Sequence, residues 1–103
     1  MAKTPHKWLI AFTDAALREL RLLPTSDRMA VFRILRLLLK ADNPLAARGV
    51  KKLKGVPGRH RARAGHYRIL FALQTGPVVH LKTTYKGTLV VEAVRHRTRA
   101  YRP

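Results

Sequence analysis

Arg59-His60-Arg61-Ala62-Arg63-Ala64-Gly65-His66-Tyr67-Arg68 is the stretch whose reading decides the fold. Side chains alternate along a strand, so Arg59, Arg61 and Arg63 share one face. Gly65-His66 has the form of a two-residue hairpin turn with Gly first. Such a turn pairs Ala64 with Tyr67 and sets Arg63 opposite Arg68 on one face. Like charges directly opposite destabilise a sheet, so the cluster implies an anion to hold. The other face carries Ala62, Ala64, Tyr67, Ile69, Phe71 and Leu73, which is core material. The hairpin is therefore expected to present a phosphate-like pocket outward and a hydrophobic floor inward.

Working outward, the run Lys51-Lys52-Leu53-Lys54-Gly55 precedes the hairpin and is closed by Val56-Pro57-Gly58. Before it, Leu45 to Val50 reads as a loop. At the start of the chain, Trp8, Ile10 and Phe12 alternate as a short strand with its aromatic face on the core. Thr13 caps a helix whose Ala16, Leu17, Leu20 and Leu23 follow helical spacing, and Pro24 ends it. Thr25 or Ser26 caps a second helix, with Asp27 in its first turn, where the dipole favours negative charge. Val31, Ile34, Leu35 and Leu38 form its buried stripe. Arg33, Arg36 and Lys40 read as a solvated basic face. Ala41-Asp42-Asn43-Pro44 stops the helix.

Beyond the hairpin, Tyr67 to Leu73 is a strand and Gln74-Thr75-Gly76-Pro77 breaks it. Val78-Val79-His80-Leu81 reads as a short added strand and Tyr85-Lys86-Gly87-Thr88 as a turn. Thr88 to Val94 has strand composition, but Glu92 between Val90 and Val94 leaves its face undeclared. The order is strand, helix, helix, then three or more strands. It predicts an α+β domain: a mostly antiparallel sheet of four or five strands, a meander at its C-terminal end, with two N-terminal helices packed on one face.

A chain of 103 residues makes one domain, residues 1–103, with a core that needs no staple. The absence of cysteine excludes a disulfide framework and a thiolate metal site. There is no signal-peptide pattern and no apolar run near the roughly 20 residues of a membrane span. A cytoplasmic protein without a membrane segment is expected. Lys plus Arg is 22 against 5 acids, a net charge of +17. Such a chain repels itself and attracts polyanions: a nucleic acid, an acidic protein partner, or both. Asp14, Glu19, Asp27, Asp42 and Glu92 have no paired or metal-ligand spacing, and no phosphate loop, nucleophile triad or zinc signature is present. No metal or cofactor is expected.

In order along the chain stand Lys51-Lys52-Leu53-Lys54-Gly55, Arg61-Ala62-Arg63-Ala64-Gly65-His66-Tyr67-Arg68-Ile69-Leu70-Phe71, and Val94-Arg95-His96-Arg97 with Tyr101. With the Trp8 strand and the two helices, this ordered set resembles the RelE/ParE toxin superfamily over nearly the whole chain. The resemblance implies the toxin of a type II toxin–antitoxin pair. In the RelE branch such toxins enter the ribosomal A site and cut the messenger; in the ParE branch the same fold poisons DNA gyrase. Residue by residue, the RelE branch fits better. It implies catalytic roles for Arg61, Arg63, Arg68, His96, Arg97 and Tyr101. The pattern departs from the family at His66 and Arg95. A longer gap between Arg68 and Arg97 implies an insertion around Gly76 to Gly87. The chain stops just after Tyr101, so no C-terminal helix is expected.

The residues themselves suit metal-free RNA cleavage. Arg61, Arg63 and Arg68 can fork onto the scissile phosphate and stabilise its developing charge, with Arg97 near the leaving oxygen. Imidazole is the side chain suited to proton transfer near neutral pH, which makes His96 the natural acid or base candidate. Tyr101 can stack on a base, or act as a base among cations. His66 is a second acid–base candidate. Lys51, Lys52, Lys54, Arg59, Arg95 and Arg99, with His66, are RNA-contact candidates. His60 shares the inner face with Ala62 and reads as structural. The partners expected are the ribosome and its messenger, and a cognate acidic antitoxin that wraps the helices and sheet edge. The free toxin is expected to be a monomer and its antitoxin complex a hetero-oligomer. The competing readings are a gyrase toxin without nuclease activity and a basic nucleic-acid-binding module without chemistry.

Overall fold

A computed structural model of the chain describes residues 6–99. The first strand, β1 (Leu9–Phe12), leads directly into α1 (Asp14–Arg21). Thr13 joins them: its hydroxyl accepts from the Ala16 amide at 3.1 Å and donates to the Glu92 carbonyl at 3.0 Å. One side chain thus satisfies an orphan helix donor and pins α1 to the sheet. The second helix, α2 (Thr25–Lys40), starts differently from expectation. Its N-cap is Pro24, with no side-chain cap bond from Thr25 or Ser26. Pro24 is already held near the φ that its ring imposes, and its carbonyl accepts from Arg28 at 2.9 Å. Arg28 Nη2 then donates to the Leu23 and Arg21 carbonyls, tying the two helices together. Val31, Leu35, Leu38 and Leu39 are buried, with Ile34 at the margin.

The remaining strands are β2 (Val50–Lys52), β3 (Arg59–Ala64), β4 (Tyr67–His80) and β5 (Thr83–His96). They lie in the order β1-β5-β4-β3-β2. β1 is parallel to β5 and every other pair is antiparallel, so the α+β reading holds and the sheet is mixed. The parallel pair arises because the chain crosses through both helices before it returns.

Three expectations are corrected here. The fifth strand is β2, the start of the basic run, paired with β3 through Lys51 and Arg61. Val78–Leu81 is no separate strand, because β4 and β5 form one long hairpin. Gly76, with φ +123°, and Pro77 sit where the register shifts between Thr75 and Val78. A bulge lets the ribbon continue past a residue that cannot donate to the ladder. The turn is Leu81-Lys82, both left-handed, as a type I′ hairpin demands. Tyr85 to Thr88 lies inside β5.

A second register shift explains the undeclared face of the last strand. Leu70 pairs with Ala93 but Phe71 pairs with Val91, leaving Glu92 as the extra residue. Val91 and Val94 both point to the core across that bulge. Helices and sheet bury Trp8, Leu35, Leu38, Ile69, Phe71, Leu89 and Val91 between them. Among the described residues, no helix is long and apolar enough to cross a membrane.

Candidate functional site: the arginine face of the sheet

The hairpin forms in the predicted register, with Ala64 opposite Tyr67 and Arg63 opposite Arg68. Gly65 opens the turn at φ +62°, which only a residue without Cβ adopts freely. On β5, Arg68 faces Arg95. Three arginines, Arg63, Arg68 and Arg95, therefore stand in one row across three strands spaced about 4.8 Å apart. Arg61 flanks the row one step along β3, opposite Leu70. The helices cover the opposite face.

Two acids temper the edges of this face. Arg59 Nε lies 2.6 Å from Glu92 Oε1, and Arg95 Nε lies 3.4 Å from Glu19 Oε2. Glu19 also accepts from the Val94 amide at 3.1 Å. β1 pairs with β5 only as far as Val91, so Glu19 takes over where the partner strand ends. Neither acid was singled out as functional from sequence. Glu92 left a trace, an acid inside a run of β-branched residues; Glu19 left none on an ordinary helix face. Arg63 is exposed and makes no ion pair among the described residues.

Arg68 departs from the outward pocket that the sequence suggested. It is only 7% exposed. Its Nη1 donates to the Gly65 and Tyr67 carbonyls, each at 2.9 Å, and its Nε has no partner. With cations on both sides, the guanidinium bends back to the turn, whose carbonyls are charge-assisted acceptors. A shallow groove of about 240 Å³ lies instead beside the β2–β3 loop, lined by Lys52, Leu53, Gly55, Val56 and Pro57. Lys51 and Lys54 are exposed in the same segment.

The histidines gather elsewhere. His96 pairs with Tyr67, one residue out of phase with the arginine row. Its ring meets Tyr67 edge-on at 5.5 Å and stacks near His66 at 6.3 Å. His96 Nδ1 lies 3.0 Å from the Thr98 hydroxyl and 3.3 Å from the Thr98 amide, which donates to it. Tyr67 packs against the core, so this cluster belongs to the face opposite Arg68. The Arg97 amide donates to the His66 carbonyl at 2.7 Å, and Arg97 and Arg99 are exposed past the end of β5. Tyr101 lies outside the described residues.

His60 sits 6.0 Å from the Phe71 ring, its Nδ1 buried without a partner. Burial first, and then the nearby Lys52 charge, lower its pKa. It lies on the inner face, paired with Phe71, where the alternation places it. Among the described residues, no three His, Asp or Glu side chains gather as metal ligands would.

No protein-family model and no curated protein matches the chain. Solved structures do. One is the toxin–antitoxin complex RelBE2 from Mycobacterium tuberculosis, at 29% identity over 89% of this chain and 93% of that one, with a TM-score of 0.64. Another is the RelB–RelE complex from Methanococcus jannaschii, at 22% identity over 88% and 94%, with a TM-score of 0.61. The isolated RelE toxin of E. coli is similar at 21% identity over 86% and 83%, also with a TM-score of 0.61.

Proposed function

We propose that this chain, RelE-like in fold, is the toxin of a type II toxin–antitoxin pair and cuts messenger RNA in the ribosomal A site. The observation that carries the reading is the row Arg63–Arg68–Arg95 with Arg61 beside it. Repulsion among these side chains is relieved when a phosphate sits between them.

In the reaction, the messenger's 2′-oxygen loses its proton and bonds to the adjacent phosphorus. The bond from phosphorus to the 5′-oxygen breaks, and that oxygen takes a proton. The products are a 2′,3′-cyclic phosphate and a 5′-hydroxyl. Arg61 and Arg63 hold the phosphate, and Arg68 adds its charge by swinging off the turn carbonyls. Arrayed cations that stabilise developing charge supply the largest part of such catalysis. Arg97 serves the leaving oxygen. Proton transfer is assigned to Tyr101; His66 and His96, on the face opposite Arg68, take part only if the RNA reaches around the turn end of the hairpin. Lys51, Lys52 and Lys54 contact RNA from the β2 edge. The cognate antitoxin offers acids to this face; the likeness to RelB–RelE complexes supports that partner.

One observation favours the gyrase reading: His96 faces Tyr67 rather than the arginine row. Growth after induced expression, with mapping of messenger 5′ ends, separates the two. The variants are Arg63→Ala, which is exposed and leaves the fold untouched, and Tyr101→Phe. Arrest with new 5′ ends inside translated codons, lost in both variants, is expected. Arrest without such ends, undiminished in the variants, would transfer the activity to gyrase.

A further inference from the structure

The hairpin of β4 and β5 outruns the rest of the sheet. Ala72 is the last β4 residue paired to β3, and Thr88 the first β5 residue paired to β1. Beyond the clamped base, Val78, Val79 and His80 pair only with Tyr85, Thr84 and Thr83. At about 3.3 Å per residue the tip from Val78 to Leu81 reaches roughly 13 Å beyond that base. A free two-stranded ribbon is marginal in water, and this one is clamped at its base. Lys86 donates from its amide to the Lys7 carbonyl at 2.8 Å and from Nζ to the Asp42 carbonyl at 3.0 Å. Its ammonium lies 5.7 Å from the centre of the Trp8 ring. Gly87 presses so closely on Trp8 that an added Cβ would lie 2.8 Å from the ring.

The ribbon's tip is apolar and cationic. Val79 is 70% and Leu81 84% exposed, with His80 and Lys82 beside them. No acid occurs between Asp42 and Glu92. Leu81 holds φ +48°, a conformation that bulky side chains rarely adopt. The edges are poorly suited to adding a strand. The β4 edge is broken by the bulge at Gly76-Pro77, and the β5 edge already spends its Lys86 amide on Lys7. Two apolar side chains are also far less than a protein interface needs. A polyanion that offers bases to Leu81 and Val79 and phosphates to Lys82 fits all of these features.

We infer that the ribbon is an RNA-docking arm that grips a structured RNA away from the arginine face. The arm needs no cleavage to act, so its test avoids chemistry. Binding of the full chain is measured to a fluorescein-labelled stem-loop and to an unstructured strand, both 2′-O-methylated so that neither can be cut. The variant Leu81→Asn with Lys82→Gly installs a favoured turn dipeptide while it removes the tip's chemistry. Lys82→Glu is the second variant. Both are expected to bind the stem-loop about five-fold more weakly near physiological salt, with a log–log salt slope shallower by about 0.9, the value of one phosphate contact. Binding to the unstructured strand is expected to be unchanged. Unaltered stem-loop binding in both variants, or an equal loss for both RNAs, would overturn the arm.

Discussion

Arg68 is where charge and burial conflict most directly. It is flanked by Arg63 and Arg95, nearly enclosed, and satisfied only through Nη1. Removing the Arg68 cation forfeits two charge-assisted bonds to carbonyls but also removes a buried charge that has no anion beside it, and the two effects oppose each other. Arg68→Met keeps the stem and is expected to change unfolding free energy by less than about 1 kcal/mol in urea titrations. Growth arrest should nevertheless be lost. His60 offers a pH test. Its folded pKa lies below the ordinary 6.5 because burial and Lys52 disfavour the imidazolium. The unfolded chain then binds the proton more readily, so stability declines as pH falls through 6.5 toward the folded value. Lys52→Ala should raise the His60 pKa, read from its ring proton shifts. The charge pattern along β3 and across its turn into β4 made Arg61, Arg63 and Arg68 visible as a cluster in the sequence. The backward bend of Arg68 was not visible, because it depends on Arg95, which is distant in sequence and adjacent only through the sheet.

At the scale of elements, Thr13 and Gly87 show opposite kinds of legibility. Thr13 is a local signal, a hydroxyl just before an apolar-periodic run, and it caps α1 as read. Thr13→Ala should cost about 1 kcal/mol, and more if the bond to the Glu92 carbonyl contributes fully. Gly87 looked like a turn residue. It is a strand residue pressed between Trp8 and the opposite strand. A methyl group there would lie 2.1 Å from the Gln74 carbonyl oxygen. Gly87→Ala should therefore destabilise by more than about 3 kcal/mol, lowering the Tm and detaching the base of the ribbon. Gly76-Pro77 misled in the same way. Their usual meaning is a break, and a bulge reverses it.

For the whole molecule, charge sets the terms. A net +17 on 103 residues makes self-repulsion a standing cost of the folded state. Added salt screens it, with a Debye length near 10 Å at about 0.1 M. Raising sodium chloride should raise the Tm of the free chain while it weakens RNA binding. A chain held together by charge pairs would show a falling Tm instead. The described ion pairs are few and lie at the surface: Lys7 with Asp42, Arg59 with Glu92, and Arg95 with Glu19. Pairs of this kind stabilise little.

Taken alone, the sequence determined the helix pair, the first hairpin with its register, the inward and outward faces of β3 and β4, and the polyanion-seeking charge. These follow from periods of 3.6 and 2 and from one turn dipeptide, all local in range. Tertiary structure alone decided which face His96 takes, where the fifth strand lies, and that Glu19 and Glu92 meet arginines from other elements. It also decided that the stretch read as an insertion is a ribbon. Each of these turns on a bulge or a pairing between strands far apart in the chain. A one-residue slip in register moves every later side chain to the other face, and no local pattern records where that slip occurs.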